Sequence, residues 1–292
     1  MSRQGPLNLQ VIGRTTALMV VLLGFFVFNG ARSSAVPGGD FPDGLTFGGL
    51  QRSYLVHVPP GLEQPNGLVI NLHGAGMTPA AQAAMTNYNA VADQHGYVVV
   101  YPEGIDLSWA DGRGASVPDR QGIDDVGFLV AIADRLTQDF GIDRGRVFAT
   151  GMSAGAFMAT RLACSRADVL SAVATVAGTL GSAFPCSPSQ PVSVMNIHGT
   201  ADNVVPFNGG PMVGRGGASD IVAAPVMAQR WRELDGCPGA PVEDSPAPRV
   251  HRFTSAGCAD GTEVAFVQID GGGHTWLDAS NASAQFFATR GR

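Results

Sequence analysis

The chain has 292 residues, of which 45% are hydrophobic and 14% charged, with a formal charge of −6 carried against arginine alone, since no lysine occurs. Apolar content of that order suffices for one folded core. It excludes a duplex or polyphosphate partner, because phosphate binding needs clustered cations, and no glycine-rich loop with a following lysine is present.

Residues 1–35 read as an export signal. Arg3 and Arg14 precede an apolar run over 17–28, Asn29-Gly30 breaks it, and Ser33-Ser34-Ala35 offers small residues for a signal peptidase. The apolar stretch is shorter than the ~20 residues that span a bilayer. The expectation is therefore bacterial export to the extracellular side, with no stable membrane insertion once the signal is cleaved. No cysteine lies near the cleavage point, so lipid attachment is unsupported. Residues 36–292 read as a single domain.

Within that domain, strands are expected at 52–58, 68–72, 97–101, 146–150, 172–177, 192–197 and 263–269, and helices at 79–94, 124–140, 156–165 and 222–234. Alternation of the two types predicts an α/β fold, a mostly parallel sheet with helices on both faces. The Gly- and Pro-rich stretches 209–217 and 236–248 read as surface loops over the rim of the site. In such sheets reactive groups gather beyond the carboxyl ends of the strands.

Three motifs fall at such ends. Gly151-Met152-Ser153-Ala154-Gly155 follows one strand and precedes a helix. Small residues two before and two after the serine allow the sharp turn that lifts its hydroxyl above the sheet. Asp202 lies in the loop beyond the strand ending near Ile197, where a carboxylate can orient an imidazole; Asp220 and Asp278 are alternatives for that role. His274 sits in the glycine-rich loop after the last strand. Serine, aspartate and histidine in this order, each after its own strand, match an α/β-hydrolase triad. His73 and His198, each before a glycine at a strand end, read as braces for neighbouring loops. Asp124 and Asp125 read as helix caps or braces. The run 68–72 ends in His73-Gly74, so the backbone amides of Ala75 and Ala154 are the expected oxyanion donors.

Four cysteines in an exported chain are most simply two disulfides. Of the three pairings, Cys164–Cys186 and Cys237–Cys258 are favoured by their placement. A metal site is the rival, but no C-x-x-C pair occurs.

His73-Gly74-Ala75-Gly76, Trp109 with Asp111-Gly112-Arg113, Asp124-Asp125-Val126-Gly127-Phe128, Ala149 to Ser153, His198 to Asp202, and Gly272-Gly273-His274-Thr275-Trp276 together resemble the secreted poly(3-hydroxybutyrate) depolymerase and feruloyl esterase family, including its LpqC-like members. The resemblance runs from about Gly44 to the C-terminus. It implies a serine esterase with Ser153, Asp202 and His274 as triad, and with no cofactor. Ala154, Ala156 and Leu277 stand where many relatives carry other residues, which leaves the substrate open: a hydroxybutyrate oligomer or polymer, or a feruloyl or acetyl ester on plant polysaccharide. Trp109 and Trp276, near the reactive loops, are expected either to line an apolar pocket or to pack in the core. Two other classes fit the fold: a serine peptidase, and a cell-surface binding protein that has lost catalysis. Both triad and oxyanion loops being intact favours the esterase.

Overall fold

The computed structural model describes Met1 and residues 38–291. The expected export signal, Met1 apart, lies outside the described residues. Twelve strands are present among them: β1 (Gly39–Phe47), β2 (Leu50–Val58), β3 (Gly67–Leu72), β4 (Tyr97–Pro102), β5 (Val147–Met152), β6 (Ala172–Val176), β7 (Ser193–Gly199), β8 (Gly210–Gly214), β9 (Gly217–Ile221), β10 (Val242–Ala247), β11 (Val250–Ser255) and β12 (Val264–Ile269). The helices are α1 (Pro79–Thr86), α2 (Tyr88–His95), α3 (Val117–Gln121), α4 (Asp125–Phe140), α5 (Ala154–Ser165), α6 (Ala224–Leu234) and α7 (Ala279–Ala288).

Ten strands form one sheet in the order β1-β2-β4-β3-β5-β6-β7-β12-β11-β10. From β4 to β12 every neighbour is parallel, and antiparallel hairpins extend both ends. Strands β3 to β7 are buried along their whole length, as parallel strands covered on both faces must be. Alternation then divides the core. Leu68, Ile70 and Leu72 of β3 join a cluster with Leu129 and Ile132 of α4, Leu162 of α5 and Trp231 of α6. Val69 and Phe148 face the other way, onto Tyr88 of α2 and Phe287 of α7. One buried ion pair fastens the edge: Arg52 of β2 reaches Asp125 at 2.6 Å, and its guanidinium lies 3.8 Å over the Phe128 ring.

The expected core strands and α4 are present, and the α/β class holds. Several elements differ. The expected helix over 79–94 is broken at Asn87, whose left-handed backbone (φ 45°) caps α1 and starts α2. The stretches read as rim loops are hairpin arms instead: 209–217 belongs to the separate β8–β9 ribbon, and 236–248 contains β10, the outermost strand of the main sheet. Their Gly and Pro content hides the strands, since an exposed edge needs no apolar alternation and tolerates proline. Helix α7 escapes the sequence reading for a related reason. Its segment ASNASAQFFA buries Ala279, Ser280, Ser283 and Ala284 before Phe286 and Phe287, so large apolar residues mark only its last turn and set no helical period.

Candidate active site

The turn after β5 is built on exclusion of side chains. A Cβ on Gly155 would stand 2.1 Å from the Leu72 carbonyl oxygen, and one on Gly151 would stand 2.7 Å from the Gly155 backbone. Neither position can hold any residue but glycine without moving β3 or α5. Ser153 at the apex takes φ 55° and ψ −121°, a conformation that costs a non-glycine residue about 1–3 kcal/mol. It is held by its own amide, which donates to Val176 O at 3.0 Å, and by its carbonyl, which accepts from Phe157 N at 3.0 Å.

Loops after β7 and β12 are stitched together in the same way. A Cβ on Gly199 would meet Gly272 O at 2.1 Å. Thr200 N donates to Ile269 O and Ala201 N to Gly272 O, each at 2.9 Å, while Gly271 N donates to Thr200 Oγ1 at 2.8 Å. This contact brings His274 Nδ1 to 2.8 Å from Asp202 Oδ2. Oδ1 of the same carboxylate accepts the amides of Val204 at 2.9 Å and Val205 at 2.8 Å. Burial opposes the charge on Asp202, but the bonds from His274, Val205 and Val204 outweigh it and hold the carboxyl below its ordinary value. An ionised carboxylate only accepts, so the His274 proton sits on Nδ1 and, in the neutral ring, Nε2 keeps its lone pair.

Asp202, and not Asp220 or Asp278, is thus the partner of His274. Asp220 accepts from Ser182 Oγ at 2.8 Å, and Asp278 is a left-handed residue in front of α7.

The loop after β3 passes beside the serine: a Cβ on Gly74 would lie 3.7 Å from Ser153 Cβ. Its geometry comes from His73, which is fully buried. Nδ1–H of His73 donates to Gly74 O at 2.8 Å, Nε2 accepts from Gly104 N at 3.0 Å, and its backbone carbonyl accepts the Trp109 indole N–H at 2.9 Å. Burial lowers the pKa of this imidazole, which keeps it neutral and able to do both. Gly76 N donates to Leu107 O at 2.7 Å and Met77 N to Gly74 O at 3.1 Å. Among the described residues, no backbone carbonyl takes the amide of Ala75 or of Ala154, which opens the first turn of α5.

His198 is the second brace. It is wholly buried and donates from Nε2 to Val205 O at 2.9 Å, fixing the residue whose amide holds Asp202. Burial lowers its pKa as well.

Of the two expectations for the tryptophans, their environment supports packing in the core. Trp109 has no exposed surface and spends its indole N–H on His73 O. Trp276 is 6% exposed and donates to Ser280 Oγ at 2.8 Å. Both rings anchor loops from within the core and leave the pocket wall to other residues. Asp124 caps α4 through Gly127 N at 2.8 Å, and Asp125 also holds Ala110 N at 2.8 Å, so the pair braces loops. Both disulfides are as expected, Cys164–Cys186 from α5 and Cys237–Cys258 behind α6. The sequence reading named Arg113 within the Asp111-Gly112-Arg113 motif but gave it no role; it is paired with the buried Asp111 at 2.6 Å and lies 3.9 Å over the ring of Phe157 in the first turn of α5. Asp and Arg two residues apart in a glycine-rich loop are the only sequence sign of it.

A parallel sheet with these loops at its carboxyl edge is the α/β-hydrolase fold. The fold is shared with acetyl xylan esterase from Aspergillus awamori (TM-score 0.62, 15% identity, 85% of this chain and 98% of that one). The chain belongs to the esterase PHB depolymerase family, which matches residues 52–230, and it is a carboxylic ester hydrolase. It is 31% identical over 247 residues to NocK of Nocardia uniformis subsp. tsuyamanensis, itself only a candidate esterase, covering 78% of this chain and 71% of that protein. Feruloyl esterase C of Emericella nidulans is 28% identical over 272 residues, 87% of this chain and 89% of the relative.

Proposed function

We propose that the chain is an exported serine esterase that works through an acyl-enzyme, with Ser153 as nucleophile, His274 as base and Asp202 as orienting carboxylate. The Asp202–His274 bond of 2.8 Å carries this reading. Ser153 Oγ attacks the ester carbonyl as His274 Nε2 takes its proton, and the Nδ1–H bond to Asp202 stabilises the imidazolium. The unclaimed amides of Ala75 and Ala154 receive the oxyanion. His274 returns the proton to the departing alcohol, then activates the water that releases the acid.

The substrate we infer is an oligomer of 3-hydroxybutyrate, the ester class named by the family. Likeness to feruloyl esterase C over 89% of its length favours a second reading, a feruloyl or acetyl ester on plant polysaccharide. Two disulfides support export through the 1–35 leader into an oxidising compartment, leaving residues 36–292 as the mature catalytic domain. Among the described residues no helix is long and apolar enough to cross a membrane.

Hydrolysis of p-nitrophenyl butyrate by wild type and Ser153→Ala tests the mechanism: the variant is expected to lose up to ~10⁶ in kcat, and an unchanged rate would remove the proposal. Hydroxybutyrate oligomers, methyl ferulate and acetylated xylan compared side by side decide the substrate by kcat/KM. Mass analysis of the exported protein's N-terminus should find it near residue 36.

A further inference from the structure

We propose that Arg215 is a positioning residue for ester hydrolysis. From the tip of the β8–β9 ribbon it clips the Asp106–Leu107 turn, so that the Leu107 carbonyl holds the Gly76 amide and aims the neighbouring Ala75 amide at the oxyanion. This rests on the reading of Ala75 as an oxyanion donor given above.

The turn is unusual in itself. Asp106 and Leu107 are consecutive non-glycine residues with positive φ, 54° and 49°, and such strain survives only where surrounding contacts over-determine it. Left-handed geometry turns two successive carbonyls outward. Leu107 O accepts Gly76 N at 2.7 Å, and Asp106 O accepts Arg215 Nη1 at 2.5 Å. The Asp106 carboxylate is farther, at 3.3 Å, and both side chains are almost half exposed, so the ion pair itself contributes little. The carbonyl contact is the significant one.

Within the segment the turn is closed by Leu107 N to Gly104 O and Ser108 N to Ile105 O, each at 3.1 Å. A cavity of about 340 Å³, lined by Gln51, Ser53 and Ile105 among others, lies against the segment 103–107. Over the site, however, the arginine closes down: its Cδ and Nε lie 3.4 and 3.7 Å from where a Cβ on Gly76 would stand. The inner end of the oxyanion loop is fixed by buried groups, through His73 to Gly104 N and Trp109 Nε1 to His73 O. Its outer end depends on the Leu107 carbonyl, in a turn that the clip braces from the residue before it. The ribbon that carries Arg215 is itself anchored nearby, through Arg120 Nη1 to Gly216 O at 3.0 Å and through Met212, packed with Phe157 of α5. Movement of the ribbon is thereby coupled to the donor beside Ser153.

The test compares Arg215→Ala, Arg215→Lys, Asp106→Asn and Ser153→Ala in the full chain on p-nitrophenyl butyrate, with a Tm for each. Complete loss of one oxyanion donor costs about 10²–10³ in kcat, and misaiming it should cost part of that. Arg215→Ala is expected to lower kcat about 5- to 20-fold with KM within about twofold. An alkylboronic acid that adds to Ser153 should bind it more weakly by a similar factor. Arg215→Lys can still donate to the carbonyl and should recover most of the rate. Asp106→Asn keeps the carbonyl and the tolerance for positive φ, and should stay near wild type. An unchanged kcat in Arg215→Ala, a loss wholly in KM, or no rescue by lysine would overturn the clip while an inert Ser153→Ala left the esterase mechanism standing. Wild-type turnover by Ser153→Ala would overturn both.

Discussion

The turn around Ser153 and the β8–β9 ribbon lie on the same side of the chemistry and are built by opposite rules. In the first, backbone meets backbone: Gly151 and Gly155 stand where added Cβ atoms would lie 2.1–2.8 Å from the main chain of β3 and α5. In the second, glycine is abundant and the packing is uneven: a Cβ on Gly216 at the tip would lie 2.6 Å from Ala115 O, while the arm before it is open. A Cβ on Gly214 would find only Met212 Cε, at 3.6 Å, and Val213 beside it in β8 is 79% exposed. Around Ser153 glycine is a steric requirement at both positions, and at Gly214 in the ribbon arm it is not. From the ribbon, Arg215 reaches the Asp106–Leu107 turn through its side chain.

The largest effect should come from the chemistry housed by the rigid region. Asp202→Asn retains the shape of the loop but loses the charge that selects the His274 tautomer, and should lower kcat by about 10⁴ with little change in KM, measured on a p-nitrophenyl ester. Gly155→Ala should follow: a methyl 2.1 Å from Leu72 O forces β3 and α5 apart, with a loss of roughly 3 kcal/mol or more in chemical denaturation and no measurable turnover.

An intermediate effect is expected at Asp235, beneath the start of β7. Burial raises its carboxyl to about 7 against an ordinary 3.8, and only Oδ1 has a partner, Val192 N at 3.3 Å. The unfolded chain releases this proton near pH 4 and the folded chain keeps it until near 7. Stability contributed by the retained proton is therefore full below the lower value and is lost as pH rises through the upper one. Asp235→Asn should stabilise the protein at pH 8, relative to its effect at pH 4, by on the order of 2 kcal/mol, read from urea midpoints at both values. The smallest effect belongs to the ribbon itself: Gly214→Ala should change stability by less than about 0.5 kcal/mol. A large loss there would erase the contrast between the two regions.

The same contrast explains what could be read from the chain. Gly151, Ser153 and Gly155 are legible because only glycine fits beside a strained serine, and the strand ends before Asp202 and His274 are legible because β7 and β12 are apolar runs. The β3 loop was legible from His73-Gly74. What composition could not decide was the choice of Asp202 over Asp220 and Asp278, since the stitching of Gly199 against Gly272 is a tertiary event. For the tryptophans the sequence left pocket wall and core packing both open, and burial decides for packing, with each indole N–H tied to a loop or helix partner in the core. Strands β8 and β10 were hidden by glycine and proline, β9 and β11 by their half-exposed polar residues, and Arg215 by lying at the ribbon's tip. Its partner, the left-handed pair Asp106–Leu107, carries no glycine to announce the turn.

The most direct measurement is where a fluorophosphonate bonds. Trypsin should release residues 147–161, a peptide in which Ser153 is the only serine, and mass spectrometry should find the adduct there in wild type, with labelling greatly slowed in His274→Ala. An adduct on another peptide, or none at all in folded wild-type protein, would contradict the account.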